Sequence, residues 1–88
     1  MFYNDDMDRQ WLWAVQIFFN TTGFPTITAG QLVEMLHLME KGNGVTPIAA
    51  GMFLARTKAF RRIRGHSYNK WQPTRRFKTL VEEELGRR

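Results

Sequence analysis

The feature that most constrains this 88-residue chain is the stretch 45–71, which must change from helix to extended chain. Thr46 and Pro47 form a strong helix start, because threonine caps unpaired backbone N–H groups and proline suits the first helical position. A helix is therefore predicted over 46–57. The string FRRIR then alternates imperfectly between apolar and basic residues, and a polar turn leads to the returning string YNKW. This pattern predicts a two-stranded ribbon over 60–71.

The predicted helix over 46–57 has two distinct sides. Ala50, Phe53, Leu54 and Thr57 mark one side, and Ile48, Met52, Ala55 and Arg56 mark the other. Residues three and four apart share a helix face, so the bulky residues of this helix do not all fit one stripe.

Three further helices are predicted around this unit, over residues 5–20, 28–40 and 74–85. The first begins with acidic residues, which suit the positive end of a helix dipole. The second opens with a capping box, in which Thr28 and Gln31 satisfy each other's backbone N–H groups. Thr74 is placed to cap the last helix. Between the first two helices, Pro25 keeps the chain extended and allows a very short edge strand.

The composition is that of one small folded domain spanning residues 1–88. Hydrophobic residues make up 43% of the chain, which is ample for a core. The chain has no cysteine, so disulfides and thiolate zinc sites are excluded. The apolar run near the start is too short to span a bilayer and follows acidic residues rather than a basic leader. We therefore expect an intracellular, cytoplasmic protein that does not bind membranes.

The charges are segregated along the chain. Residues 41–81 contain ten Lys and Arg and no acid, whereas the remainder has three Lys and Arg against eight acids. Such an uneven distribution predicts an anionic partner, which could be DNA, RNA or an acidic protein. The alternative is a solvated basic face that serves only solubility.

The order of elements resembles a winged helix-turn-helix domain over roughly residues 24–71. TAGQLVEMLHL is similar to the first helix of the turn motif, and TPIAAGMFLARTKAFRRIRGHSYNKW to the recognition helix and wing. The Thr-Pro start and the LAR and FRR strings are similar to winged domains of phage and viral primase-helicases. The resemblance implies a mainly α fold with a small β-ribbon (α+β), of about four helices and a two-stranded wing. The glycine-rich link at 41–45 is longer than the family's usual turn.

The resemblance implies a non-enzymatic protein that binds duplex DNA, such as a regulator or replication accessory of a phage or mobile element. In this family the third helix enters the major groove and the wing contacts phosphates or a minor groove. The implied contacts are Thr46, Arg56, Lys58, Arg61, Arg62, Arg64, His66, Lys70, Arg75, Arg76 and Lys78. On the helix itself Ile48, Ala49 and Met52 carry no base-edge donors, so thymine methyls are what they could read. Binding is therefore expected to depend mainly on DNA shape and phosphates.

An apolar surface provides the alternative function. Ile48 and Met52, together with Trp13 or Ile17, could form a docking site for a protein. The chain would then be a binding module or inhibitor that docks on a nucleic-acid-processing complex, and a homodimer is also possible. Each of these residues could instead belong to the core.

Enzymatic chemistry is not expected. The two histidines fall on different predicted elements, and the acids cluster away from both. No carboxylate pair, nucleophile with its base, or set of metal ligands has a spacing that indicates catalysis. The sequence therefore predicts no cofactor and no metal.

Overall fold

The structure, a computed structural model, describes residues 5–39, 44–65 and 69–86, with side chains from residue 9 onward. Within these ranges the elements are α1 (Asp5–Thr22), α2 (Ala29–Leu38), α3 (Pro47–Arg56), β1 (Phe60–Arg64), β2 (Asn69–Pro73) and α4 (Arg75–Glu84). The two strands form an antiparallel sheet. The coarse class predicted from the sequence, α+β with helices and a small ribbon, is confirmed.

The starts of α2 and α3 follow local sequence signals. Thr28 N–H donates to Gln31 Oε1 at 2.9 Å, and Gln31 N–H donates to Thr28 Oγ1 at 3.1 Å, which confirms the capping box. Ala49 N–H donates to Thr46 Oγ1 at 3.1 Å, with Pro47 at the first helical position. Both caps are therefore set by residues within one turn.

Thr74 occupies the predicted N-cap position of α4, but the expected capping by its side chain is not found. Its side chain makes no capping hydrogen bond. The Thr74 hydroxyl instead donates to the Ala59 carbonyl at 2.9 Å, and the Thr74 backbone N–H donates to the same oxygen at 3.0 Å. Thr74 therefore fastens the start of α4 to the residue that precedes β1.

The ribbon extends two residues beyond the predicted range 60–71, because Gln72 and Pro73 also pair with the first strand. The register runs from Phe60 opposite Pro73 to Arg64 opposite Asn69. The short edge strand predicted near Pro25 is reduced to an isolated bridge at Ile27. Ile27 N–H donates to Trp71 O at 2.9 Å, and Trp71 N–H donates to Ile27 O at 2.8 Å. Residues 66–68 of the turn, including Tyr68, lie outside the described residues.

The core lies between α1 and the other elements. Its buried side chains are Trp11, Leu12, Ala14, Val15, Phe18, Ile27, Leu32, Leu36, Ala50, Phe53, Leu54, Ala59, Phe60, Trp71, Phe77 and Leu80. Two aromatic contacts connect it to the ribbon and α3: Phe60 packs on Phe77 with ring centroids 5.2 Å apart, and Trp11 meets Phe53 edge-on at 5.3 Å. The base of the ribbon and the inner side of α3 are thus fixed to one core.

Candidate nucleic-acid interface

Helix α3 presents an apolar face to solvent. Ala50, Phe53 and Leu54, which mark one side of the helix, are buried. On the opposite side, Ile48 is 76% exposed and Met52 is 65% exposed. Ile48 and Met52 are neighbours on one helix face, and adjacent exposed apolar residues, unlike isolated ones, mark a candidate contact surface.

This exposed face forms one wall of a groove, which we call the α3 groove. It has a volume of 560 Å³, and its other walls are the start of α2 and the ribbon. Most of its lining is apolar, and Arg62 and Asn69 contribute polar groups from the ribbon. Helices α2 and α3 lie close behind it, because a Cβ placed on Gly51 would be 3.9 Å from the Ala29 Cβ. The groove therefore combines an apolar floor with a cation at its edge.

The ribbon cations are divided between two faces. Side chains alternate along a strand, and directly opposed residues share a face. Arg62 lies opposite Trp71 and Arg64 lies opposite Asn69, which places both arginines on the face that borders the α3 groove. We call this the groove face.

The remaining ribbon cations lie on the other side, the outer face. Arg61 is opposite Gln72, and Ile63 is opposite Lys70. The Arg61 guanidinium donates from Nη2 to Gln72 Oε1 at 2.9 Å, which orients it across the strands. Arg61 and Lys70 are both exposed. A polyanion could therefore be contacted from either face of the ribbon.

More predicted contact residues gather where the ribbon joins α4. Lys58 and Arg75 flank the hydrogen-bonded pair Ala59 and Thr74, and both are exposed. Arg76 and Lys78 follow on α4 and are exposed as well. The acidic end of α4 begins at Glu82, about 6 Å beyond Lys78 along the helix axis, at 1.5 Å per residue. Cations therefore occupy the start of α4 and acids its end.

Two predicted contacts have other roles in the fold, and one cannot be placed. Thr46 is exposed, but its oxygen accepts the capping hydrogen bond of α3. The Arg56 guanidinium carbon lies 5.6 Å from the centre of the Phe53 ring, a cation–π arrangement. His66 lies outside the described residues.

The apolar residues of the alternative prediction do not all line one surface. Trp13 is 54% exposed and lines a different groove of 460 Å³ between α1 and α4, together with Arg9 and Val81. Ile17 is half-buried. Neither residue lines the α3 groove, whereas Ile48 and Met52 both do.

Sequence reasoning missed several parts of the α3 groove. Ala29, Gly30 and Gly51 line it although they carry little or no side chain. The available signal was the presence of small residues within two helices, which allows close helix approach. Asn69 and Trp71 enter the groove through the strand register.

Comparisons with known proteins assign no family to this surface. No protein-family model, curated protein or solved structure matches the chain. Among the described residues, no group of three or more His, Asp or Glu could hold a metal ion. None of the helices in this part of the chain is long and apolar enough to cross a membrane.

Proposed function

We propose that the protein is a winged-helix-type domain that binds duplex DNA through the ribbon and α3. The order α2, α3, β1, β2 supports this assignment. So does the bridge between Ile27 and Trp71, which adds a third strand position beside the ribbon. Helix α3 takes the place of the recognition helix, and the ribbon takes the place of the wing.

The observation that carries the proposal is the exposed basic ribbon. Arg61, Arg62, Arg64 and Lys70 are all exposed, and residues 44–81 contain no acid to neutralise them. A five-residue strand is roughly 17 Å long, at about 3.3 Å per residue. Over that length duplex DNA carries several phosphates, so multiple contacts can form and release counterions. Phosphate contacts of this kind give affinity and orientation without reading sequence.

The proposed biological role follows by analogy with winged domains of phage and viral replication proteins. In such a role the protein would act as a regulator or as a replication accessory, without catalysis of its own. The acid-free segment would bring it to DNA, and its partners would determine the outcome.

Fluorescence anisotropy against a labelled random duplex tests DNA binding directly. Affinity is to be measured over a series of salt concentrations, because each phosphate contact contributes about 0.9 to the slope of log affinity against log salt. Replacing both Arg62 and Arg64 by glutamine is expected to weaken binding and to reduce the slope by up to about 1.8. Arg9→Gln removes an exposed cation on α1 and is the matched control.

A second pair of substitutions identifies the face that meets DNA. Arg61→Gln with Lys70→Gln removes two charges from the outer face, so its net charge equals that of the groove-face variant. A duplex that lies against α3 is expected to respond more to loss of Arg62 and Arg64. Absence of binding even at low salt, or an unchanged slope in folded variants of both faces, would contradict the proposal.

The α3 groove favours a second candidate function, a module that docks on a protein. A volume of 560 Å³ with mostly apolar lining could hold side chains of a partner. Ile48→Asp or Met52→Asp is expected to abolish such a complex without unfolding the domain, because both side chains are exposed. This candidate replaces the first if the anisotropy titration shows no DNA binding at low salt.

A further inference from the structure

We propose that α3 recognises the C5-methyl groups of thymine in the DNA major groove. This inference rests on the proposed function, since it requires α3 to face a duplex. It names the class of DNA preferred: sites whose major-groove edge carries several thymine methyls opposite the exposed face of α3.

The spacing of the exposed apolar side chains fits successive base pairs. Ile48, Met52 and Ala55 are all exposed and follow one another by four and three residues, so they lie on one helix face. From the first to the last, the helix rises about 10 Å. That distance corresponds to roughly three base steps of 3.4 Å. One face of α3 can therefore meet methyl groups on neighbouring base pairs.

The chemistry of this face favours bases that carry a C5-methyl group. In the major groove, the C5-methyl of thymine is the apolar feature, whereas guanine and cytosine present acceptors and a donor. The side chains of Ile48 and Ala55 form no hydrogen bonds, and the sulfur of Met52 is only a weak acceptor. A·T and G·C pairs each present two acceptors and one donor in the major groove, so loss of hydrogen bonds with water affects both alike. The face thus favours thymine through contact with its methyl group.

Arg62, on the groove face of the ribbon, is placed to contact a phosphate of the same duplex whose bases meet α3. Arg62 lines the same groove as Ile48 and Met52. A DNA backbone held by Arg62 would therefore run beside the apolar face of α3. Thr46 and Arg56 lie near the two ends of α3, outside the span of the three apolar residues.

The expected preference can be stated for each methyl group. Burying one methylene-sized group is worth about a fourfold change in affinity. Replacing thymine by uracil removes the methyl and leaves all hydrogen-bonding groups in place. A site with two contacted thymines is then expected to lose roughly fifteenfold in affinity on this replacement.

The experiment compares labelled duplexes by anisotropy at one salt concentration. An A·T-rich duplex is prepared with thymine and with uracil, and a G·C-rich duplex with cytosine and with 5-methylcytosine. Affinity is expected to fall from thymine to uracil and to rise from cytosine to 5-methylcytosine. The double variant Ile48→Ala with Met52→Ala is expected to lose both differences and to bind the thymine duplex about as weakly as the unsubstituted protein binds the uracil duplex. Leu38→Ala, which truncates a 78% exposed leucine on α2, is the control that keeps them.

Each unfavourable outcome has a distinct meaning. Equal affinity for thymine and uracil duplexes overturns methyl recognition and leaves DNA binding intact. A methyl dependence that persists in the double variant also overturns it, because the methyls would then act through DNA stiffness or another surface. Failure to bind any duplex refutes the proposed function itself.

Discussion

Replacing Gly51 by alanine is expected to stabilise the protein, because this glycine lies inside α3 and its missing side chain has room. Glycine in a helix interior is less favourable than alanine by about 1 kcal/mol. The added Cβ would lie 3.9 Å from the Ala29 Cβ, which is an ordinary van der Waals contact. The net gain is therefore about 1 kcal/mol, which raises the melting temperature of a domain of this size by about 4–8 °C.

The gain is to be measured by thermal unfolding and urea titration followed by circular dichroism. Gly23→Ala is the matched control, since nothing lies within 4 Å of its added Cβ but its φ is +71°. Alanine in that left-handed conformation costs about 1 kcal/mol, so the control is expected to melt lower. A lower melting temperature for Gly51→Ala would refute the reasoning, because α2 and α3 would then approach more closely than the structure indicates.

The same substitution also separates the two proposed functions. The new methyl lies on the floor of the α3 groove, behind the protruding side chains of Ile48 and Met52. A duplex that rests on those side chains is expected to bind Gly51→Ala with nearly unchanged affinity. A protein partner whose side chain fills the groove is expected to bind this stabilised variant more weakly.

Two further predictions concern the attachment of the ribbon. Thr74→Val keeps the shape of the side chain but removes the hydroxyl that donates to Ala59 O. Urea titration is therefore expected to show a free energy of unfolding lower by about 1 kcal/mol, and a smaller decrease for Thr74→Ser, which keeps the hydroxyl. Trp71→Ala empties a buried site and is expected to cost about 3–5 kcal/mol in the same titration, whereas Ile63→Ala on the outer face costs far less. These assignments would be contradicted if Thr74→Val and Thr74→Ser lowered the free energy of unfolding equally. Equal losses for Trp71→Ala and Ile63→Ala would contradict them as well.

The sequence predicted the features that depend on near neighbours. The capping box of Thr28 and Gln31 and the start of α3 at Thr46 and Pro47 involve residues within one turn. Their physical cause is therefore visible in a short window of sequence. The grouping of the α3 residues into two sides was also predictable, because helical spacing fixes which residues share a face. Which of the two sides is buried depends on the assembled fold.

Features that depend on distant partners were not predictable in the same way. Thr74 looked like a cap from its neighbours, but its hydroxyl bonds to Ala59, fifteen residues earlier. The bridge of Ile27 to Trp71 likewise joins segments that are far apart in sequence. The sequence contains each of these residues, but only the assembled fold determines which carbonyl or strand lies within reach.

The register of the ribbon links these distant contacts to the candidate site. Arg62 and Arg64 share one face of any strand, but the alternation in FRRIR is imperfect, so the sequence does not decide whether this face or that of Arg61 turns toward the body of the protein. The bridge to Ile27 and the burial of Trp71 fix that residue toward the body of the protein, and its partner Arg62 must then face the α3 groove. A slip of one residue would instead send Arg61 to that face. Comparing DNA binding by the groove-face and outer-face variants therefore also tests the register. If loss of Arg61 and Lys70 lowers the affinity more than loss of Arg62 and Arg64, DNA does not lie along α3 in this register.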